Sequence, residues 1–176
     1  MASAGTELFC TECGKRWNLE ENGDLRALEG ETEFTRVPDW FLWEKEQVRA
    51  EIARGEYVFE DDVDVFSQPR AFRFLHLGDG HVRHDAENGF VLEGEYRGKP
   101  YRAHRPPIGQ DSLHIEYDWC YLTPEDCFDI SLDNDSFFCY PKNRKDVVTK
   151  LAFATEIIHE NHAARTAAAR AERAGK

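Results

Sequence analysis

The chain has no apolar run near the roughly 20 residues that a membrane-spanning helix needs. Its opening, MASAGTEL, has neither the basic start nor the hydrophobic stretch of a secretory signal. Positive charge is scarce: 22 Lys and Arg face 34 Asp and Glu, a net of −12. A surface of that sign repels nucleic-acid phosphates and anionic lipid headgroups, so no nucleic-acid partner is expected. Cysteine is scarce too, and its odd count of five shows no disulfide spacing. There is no Gly-x-Ser-x-Gly elbow, no phosphate-cradling glycine loop and no His-Glu-x-x-His. The expectation is a reduced, cytoplasmic chain whose residues do not converge on catalysis.

What is present suffices for a core. Of 176 residues, 41% are hydrophobic and 12% aromatic, enough for one ordinary domain with a small appendage. Short strands are predicted near Glu7–Cys10, Arg16–Glu20 and Leu25–Leu28, with Asn22-Gly23 as a turn. Pro38 and Asp39 open a helix that Gly55 closes; Trp40, Phe41, Trp43, Val48 and Ile52 are its apolar residues. Trp40 and Trp43 are expected to pack against the β region that follows.

From Tyr57 the pattern alternates. Val63 and Val65, FRFLHL, HVRHD, FVLEG, LHIEY, CFDISL and SFFCY read as seven strands, with turns at Gly78-Asp-Gly80, Asn88-Gly89 and Asp133-Asn134-Asp135. A helix is predicted from about Asn143. Its stripe of Val147, Val148, Leu151, Ala154, Thr155 and Ile158 suits it to cap an open end of a barrel. The fold class expected is α+β, mostly β: a pleckstrin-homology (PH)/GRAM-like seven-stranded barrel capped by a C-terminal helix. The division expected is a partial zinc knuckle over residues 1–30, a linker helix packed on the barrel over 31–56, the β domain with its helix over 57–162, and an exposed tail over 163–176.

The sharpest local motif is Cys10-x-x-Cys13 followed by Gly14. It reads as half a zinc site, a redox pair or two unrelated thiols. Gly14 and the strand-like residues after it favour zinc, because a knuckle must turn sharply to point amides at its thiolates. Cys120, Cys127 and Cys139 lie among strand residues and read as buried thiols. If the other two ligands are not downstream, they lay before Met1. His81 and His84 would face opposite sides of a strand, and His159 and His162 share a helix face with no third ligand evident. Asp133 and Asp135 lack the glycine and glutamate of a calcium loop. One modest basic stretch, read as a loop, remains, with Arg97, Lys99, Arg102 and Arg105 as candidate headgroup or partner contacts.

The segments GTELFCTECGKRWNLEENGDL, GETEFTRVPDWFLWEKEQVRAEI, LGDGHVRHDAENGFVLEG and VVTKLAFATEIIH together resemble a region of some bacterial 1-acyl-sn-glycerol-3-phosphate acyltransferase-like proteins, the part after the catalytic domain. The resemblance runs from about Thr6 to Glu160, with FTRVPDWFLWE its most specific stretch; GHVRHDAENGFVLEG also resembles the strand–turn–strand of GRAM domains. It implies an upstream CxxC that would complete the zinc ribbon, and an upstream acyltransferase domain, or another protein, as docking partner. A membrane surface is the weaker partner. Zinc held by Cys10 and Cys13 alone is expected to be absent or weakly bound. The family's chemistry needs a His-x4-Asp pair. Five residues after His76, His81, His84, His104, His114, His159 and His162 stand His81, Ala86, Gly89, Gly109, Trp119, Ala164 and Ala167, none of them aspartate. The expectation is a non-catalytic accessory domain for phospholipid synthesis; the alternative is an enzyme, an acyltransferase or a hydrolase, with an unrecognised site.

Overall fold

The structure is a computed structural model in which residues 2–10, 13–70, 73–117 and 125–174 are described. The chain divides into two compact units, Met1–Gln47 and Val48–Lys176. In the first, β1 (Ala2–Ala4), β2 (Glu7–Phe9), β3 (Arg16–Leu19) and β4 (Leu25–Ala27) form an antiparallel sheet in sequential order. Gly23, at φ 84°, turns β3 back into β4. Leu8, Trp17 and Ala27 stand opposite one another across three strands, which puts them on one face. That face forms a small core of Trp17, Leu25 and Trp40, with Leu8, Cys10, Ala27 and Phe34 against it.

Helix α1 (Val37–Ala53) runs across the division between the units. It stops where Gly55 takes φ 71°: the Gly55 amide bonds to Ile52 O and the Glu56 amide to Glu51 O, a Schellman arrangement that satisfies the last carbonyls. The expectation that both tryptophans pack on the β region is corrected here. Trp40 meets Trp17 edge-on at 4.6 Å and stacks on Phe34 at 5.3 Å, inside the first unit. Trp43 lies beside Phe34 and stays 48% exposed. Val48 and Ile52, further along the helix, are the residues that belong to the β core.

The second unit is an antiparallel sheet of β5 (Val58–Arg70), β6 (Arg73–Asp85), β7 (Gly89–Tyr96), β8 (Lys99–Arg105), β9 (Ile115–Tyr117), β10 (Asp126–Ser131) and β11 (Ser136–Pro141), in the order β8-β7-β6-β5-β11-β10-β9. The expected count of seven holds for a different set of strands. FRFLHL and HVRHD are one strand, because Gly78 at φ 90° sits at a register shift opposite Val65 and Phe66, a bulge that bends β6 without reversing it. The segment Lys99–Arg105, read as a loop, is β8. Among the described residues β8 and β9 do not pair, so the sheet stays open where a closed barrel was expected. The connection there begins with Pro106 and Pro107, which have no amide to give a ladder, and forms a short 3-10 turn at Pro107–Gly109.

Helix α2 (Val148–Ala174) packs on that turn, β9 and β10. It buries Val148, Leu151, Phe153, Ala154, Ile157 and Ile158 against Phe90, Leu92, Phe128 and Ile130. The helix begins at Val148 and not near Asn143. Buried Asp61 on β5 accepts the amides of Asn143 and Arg144 and the Asn143 side-chain amide, which holds this stretch as a loop. Beyond His162 the helix continues to Ala174, exposed from Ala164 to Arg173, in the stretch expected to be an exposed tail. On the inner face of the sheet, Gly80 and Gly94 are cross-strand partners, and the Tyr101 ring fills the space where a Gly94 side chain would stand.

Candidate functional site

The knuckle sits between β2 and β3. The Gly14 amide donates to Cys10 O at 2.9 Å, the Cys10 amide donates to Lys15 O at 2.9 Å, and Gly14 adopts φ 75°, a backbone that only glycine takes freely. Cys10 is half-buried against the Trp17 core, and Cys13 is exposed. The two thiols suit a soft metal. Among the described residues, however, no set of three His, Cys, Asp or Glu side chains converges to hold an ion, whereas a tetrahedral zinc site takes four ligands.

Cys127 is buried with Phe138 and Tyr140, and burial pushes its pKa up to about 11. Cys139 lies in the main core, where burial holds its thiol neutral, and Cys120 lies outside the described residues. The strand pair separates as period two requires, and the helix pair meets two different carbonyls. His81 faces outward between Asp62 and Glu60, each 3.0 Å from a ring nitrogen, and those two carboxylates raise its pKa. His84 faces inward, 1% exposed. His162 donates from Nε2 to Ala86 O at 2.8 Å, and His159 lies 3.3 Å from Pro107 O. Asp135 accepts from the Ser67 hydroxyl and the Ser136 amide, work that belongs to a turn.

The four basic candidates do not form one patch. Arg97, at φ 52°, turns the β7–β8 hairpin and lies 5.1 Å over the Tyr96 ring. Period-two alternation along β8 puts Lys99 and Arg105 on the side of buried Ala103, and Arg102 on the other. Arg102 meets Glu93 at 3.4 Å and Arg105 meets Asp133 at 3.7 Å. A headgroup cradle needs convergent cations, and these diverge.

Sequence reasoning passed over a surface on α1. Val37, Phe41, Leu42 and Trp43 are 43%, 48%, 60% and 48% exposed, within the first two turns of the helix. Asp39 and Glu46 are exposed beside them. The signal was present: with Trp40 included, five of the seven residues from Val37 to Trp43 are large and apolar, too many for one helical stripe. Comparison of the chain with family models, curated proteins and solved structures finds no match. Among the described residues no helix is long and apolar enough to cross a membrane.

Proposed function

We propose that the chain is a non-catalytic accessory module of a bacterial acyltransferase-like protein, and that it docks another protein through the first turns of α1. The observation that carries this reading is the exposed apolar surface of Val37, Phe41, Leu42 and Trp43. Single exposed apolar residues are ordinary, but four large ones within two turns, with Val37 and Phe41 on one side of the helix, are a concentration that a bound partner would cover. A PH/GRAM-like reading of the second unit is supported by its topology. Counted within that unit, the strands run fourth, third, second, first, seventh, sixth, fifth, and a helix follows the last. The divergent cations and the net charge of −12 favour a protein partner over a lipid surface. Acyl transfer is not assigned to this chain because none of its histidines carries the family's aspartate.

Two measurements test this. Purified chain given an acyl-CoA and a lysophosphatidate is expected to form no diacyl product; turnover that scales with the chain's concentration would make it an enzyme. An apolar fluorescent probe is expected to bind the native protein, with its signal at least halved in the double variant Leu42→Glu/Trp43→Glu. The variant's melting temperature should move by no more than about 2 °C, since exposed residues are replaced. An unchanged probe signal counts against docking at α1.

Zinc belongs to the same reading. Two thiolates hold the ion far more weakly than four, since each missing ligand removes a bond and part of the charge compensation. After dialysis against a chelator the chain is expected to retain well below one zinc per molecule. A full equivalent, lost on Cys10→Ser, would show that the site is complete within this chain.

A further inference from the structure

We propose that the free edge of β8 takes an extended acidic segment of another protein as an added strand. This surface belongs to the second unit alone and does not depend on the reading of α1. β8 ends its sheet, and among the described residues no strand pairs with its far side. The β7–β8 turn consists of Arg97 and Gly98, at φ 52° and 74°, and closes on the facing pair Tyr96 and Lys99. In a two-residue turn of this kind the closing pair exchanges both backbone bonds, and bonded and open pairs then alternate. Lys99, Tyr101, Ala103 and Arg105 therefore bond to β7, while Arg102 and His104 turn their amides and carbonyls to the open edge. Pro100 falls in the same outward register, where its missing amide costs the ladder nothing. Pro100, Arg102 and His104 are exposed, and among the described residues no backbone bond from beyond the β7 ladder reaches them.

Charge selects the occupant. From Arg97 to Gln110 the chain carries four Lys and Arg and no acid, a local reversal in a molecule of net charge −12. Lys99, Arg102 and Arg105 recur at every third residue, a spacing that alternates faces on a strand. That divergence spoils them for a compact headgroup and suits them to a strand, whose own side chains alternate in the same way. Arg102 meets exposed Glu93 at 3.4 Å, and Arg105 meets exposed Asp133 at 3.7 Å. Exposed pairs of this kind are weak and exchange readily for an incoming carboxylate. A second copy is the wrong occupant, because β8 beside β8 would bring cations against cations. The fitting segment has acids three residues apart and β-branched residues between them.

Fluorescence anisotropy of the labelled heptapeptide ETVEVTE, titrated with the full-length chain, tests this. At low salt a dissociation constant of roughly 10–100 µM is expected, since the interface is small and the peptide must be ordered. Binding should weaken about tenfold between about 0.05 and 0.5 M salt. It should also weaken about tenfold in Lys99→Glu/Arg102→Glu, two exposed positions on opposite faces of β8. Amide exchange gives the register: on binding, the Arg102 and His104 amides should slow about tenfold or more, with Tyr101 and Ala103 little changed. N-methylation of alternate peptide residues should abolish binding in one set and spare it in the other, since only one set faces β8.

Binding without added protection at Arg102 and His104, or equal tolerance of both N-methylated sets, would reduce the effect to loose charge attraction and overturn the added strand. Equal binding of KTVKVTK would overturn the acidic occupant. A wild-type chain that self-associates without peptide and protects the same two amides would make a second copy the occupant and overturn the choice of another protein. Absence of binding at about 1 mM peptide would overturn the site itself.

Discussion

Between pH 6.5 and about pH 4, the second unit is expected to lose about 3 kcal/mol of stability through one side chain, His84. Its ring is 1% exposed, lies flat on Phe90 at 3.8 Å, and has Nδ1 2.8 Å from the buried Tyr57 hydroxyl. Burial lowers the imidazole pKa from 6.5 to about 3, against a smaller pull the other way from the Asp85 carboxylate. The folded state therefore binds fewer protons than the unfolded state throughout this window. Stability from His84 is complete above pH 6.5 and falls, at about 1.4 kcal/mol per pH unit, as the pH drops toward about 3.

Other groups titrate beside it, so the comparison with a His84 variant isolates its share: burial raises the pKa values of Asp126 and Asp129, which oppose His84 as the pH falls. Asp85, whose pKa is lowered through bonds from Asn88, Arg83 and Glu87 against the cost of burial, contributes only as the pH falls through the carboxylate range. His81 has the opposite sign, since its raised pKa gives stability that is lost as the pH rises above 6.5, and it is exposed enough for solvent to screen it. Chemical denaturation at a series of pH values measures the slope. His84→Phe should remove nearly one proton from it, and the His84 resonances of the wild type should still report a neutral ring at about pH 5. A slope unchanged by the substitution, or a charged ring at that pH, would show that the imidazole is not held as the structure places it.

How much of this was legible depended on how local the cause was. Asn22-Gly23 and Asn88-Gly89 announce turns because the positive φ of the glycine is a property of two residues, and Gly23 and Gly89 do turn the chain. Gly78-Asp-Gly80 looks similar, yet Gly78 serves a bulge, and only the register of β5 beside it decides between the two. Alternation in HVRHD placed His84 on the same face as Val82, so its inward direction could be read. That it stays neutral there depends on Tyr57, just before β5, and Phe90 of β7, which no local window contains. The basic residues from Arg97 to Arg105 seemed to share a loop because β8 was not recognised; once it is a strand, period two sends Arg102 one way and Arg105 the other. At the knuckle, Cys10, Cys13 and Gly14 were legible as a tight turn, whereas the lack of three converging ligands among the described residues is a tertiary fact.

The two tryptophans of α1, indistinguishable by residue type, should behave very differently when truncated. Trp40→Ala is expected to cost the first unit roughly 3–5 kcal/mol, since it removes the ring that covers Trp17 and Phe34 and leaves a cavity. A core built on three buried residues, Trp17, Leu25 and Trp40, has little with which to compensate. Trp43→Ala, at a position 48% exposed, should change stability by no more than about 0.5 kcal/mol. Amide hydrogen exchange resolves where each effect falls. In Trp40→Ala, protection should collapse at Trp17, Asn18 and Leu25, whose amides serve the first sheet and its flank. Val63, Val82 and Leu92 should keep theirs, because their core contains neither indole. Loss of protection spread evenly over both units would mean that α1 transmits the damage through Val48 and Ile52 and that the two cores unfold together. Equal destabilisation by the two substitutions would contradict the assignment of Trp40, and not Trp43, to the core of the first unit.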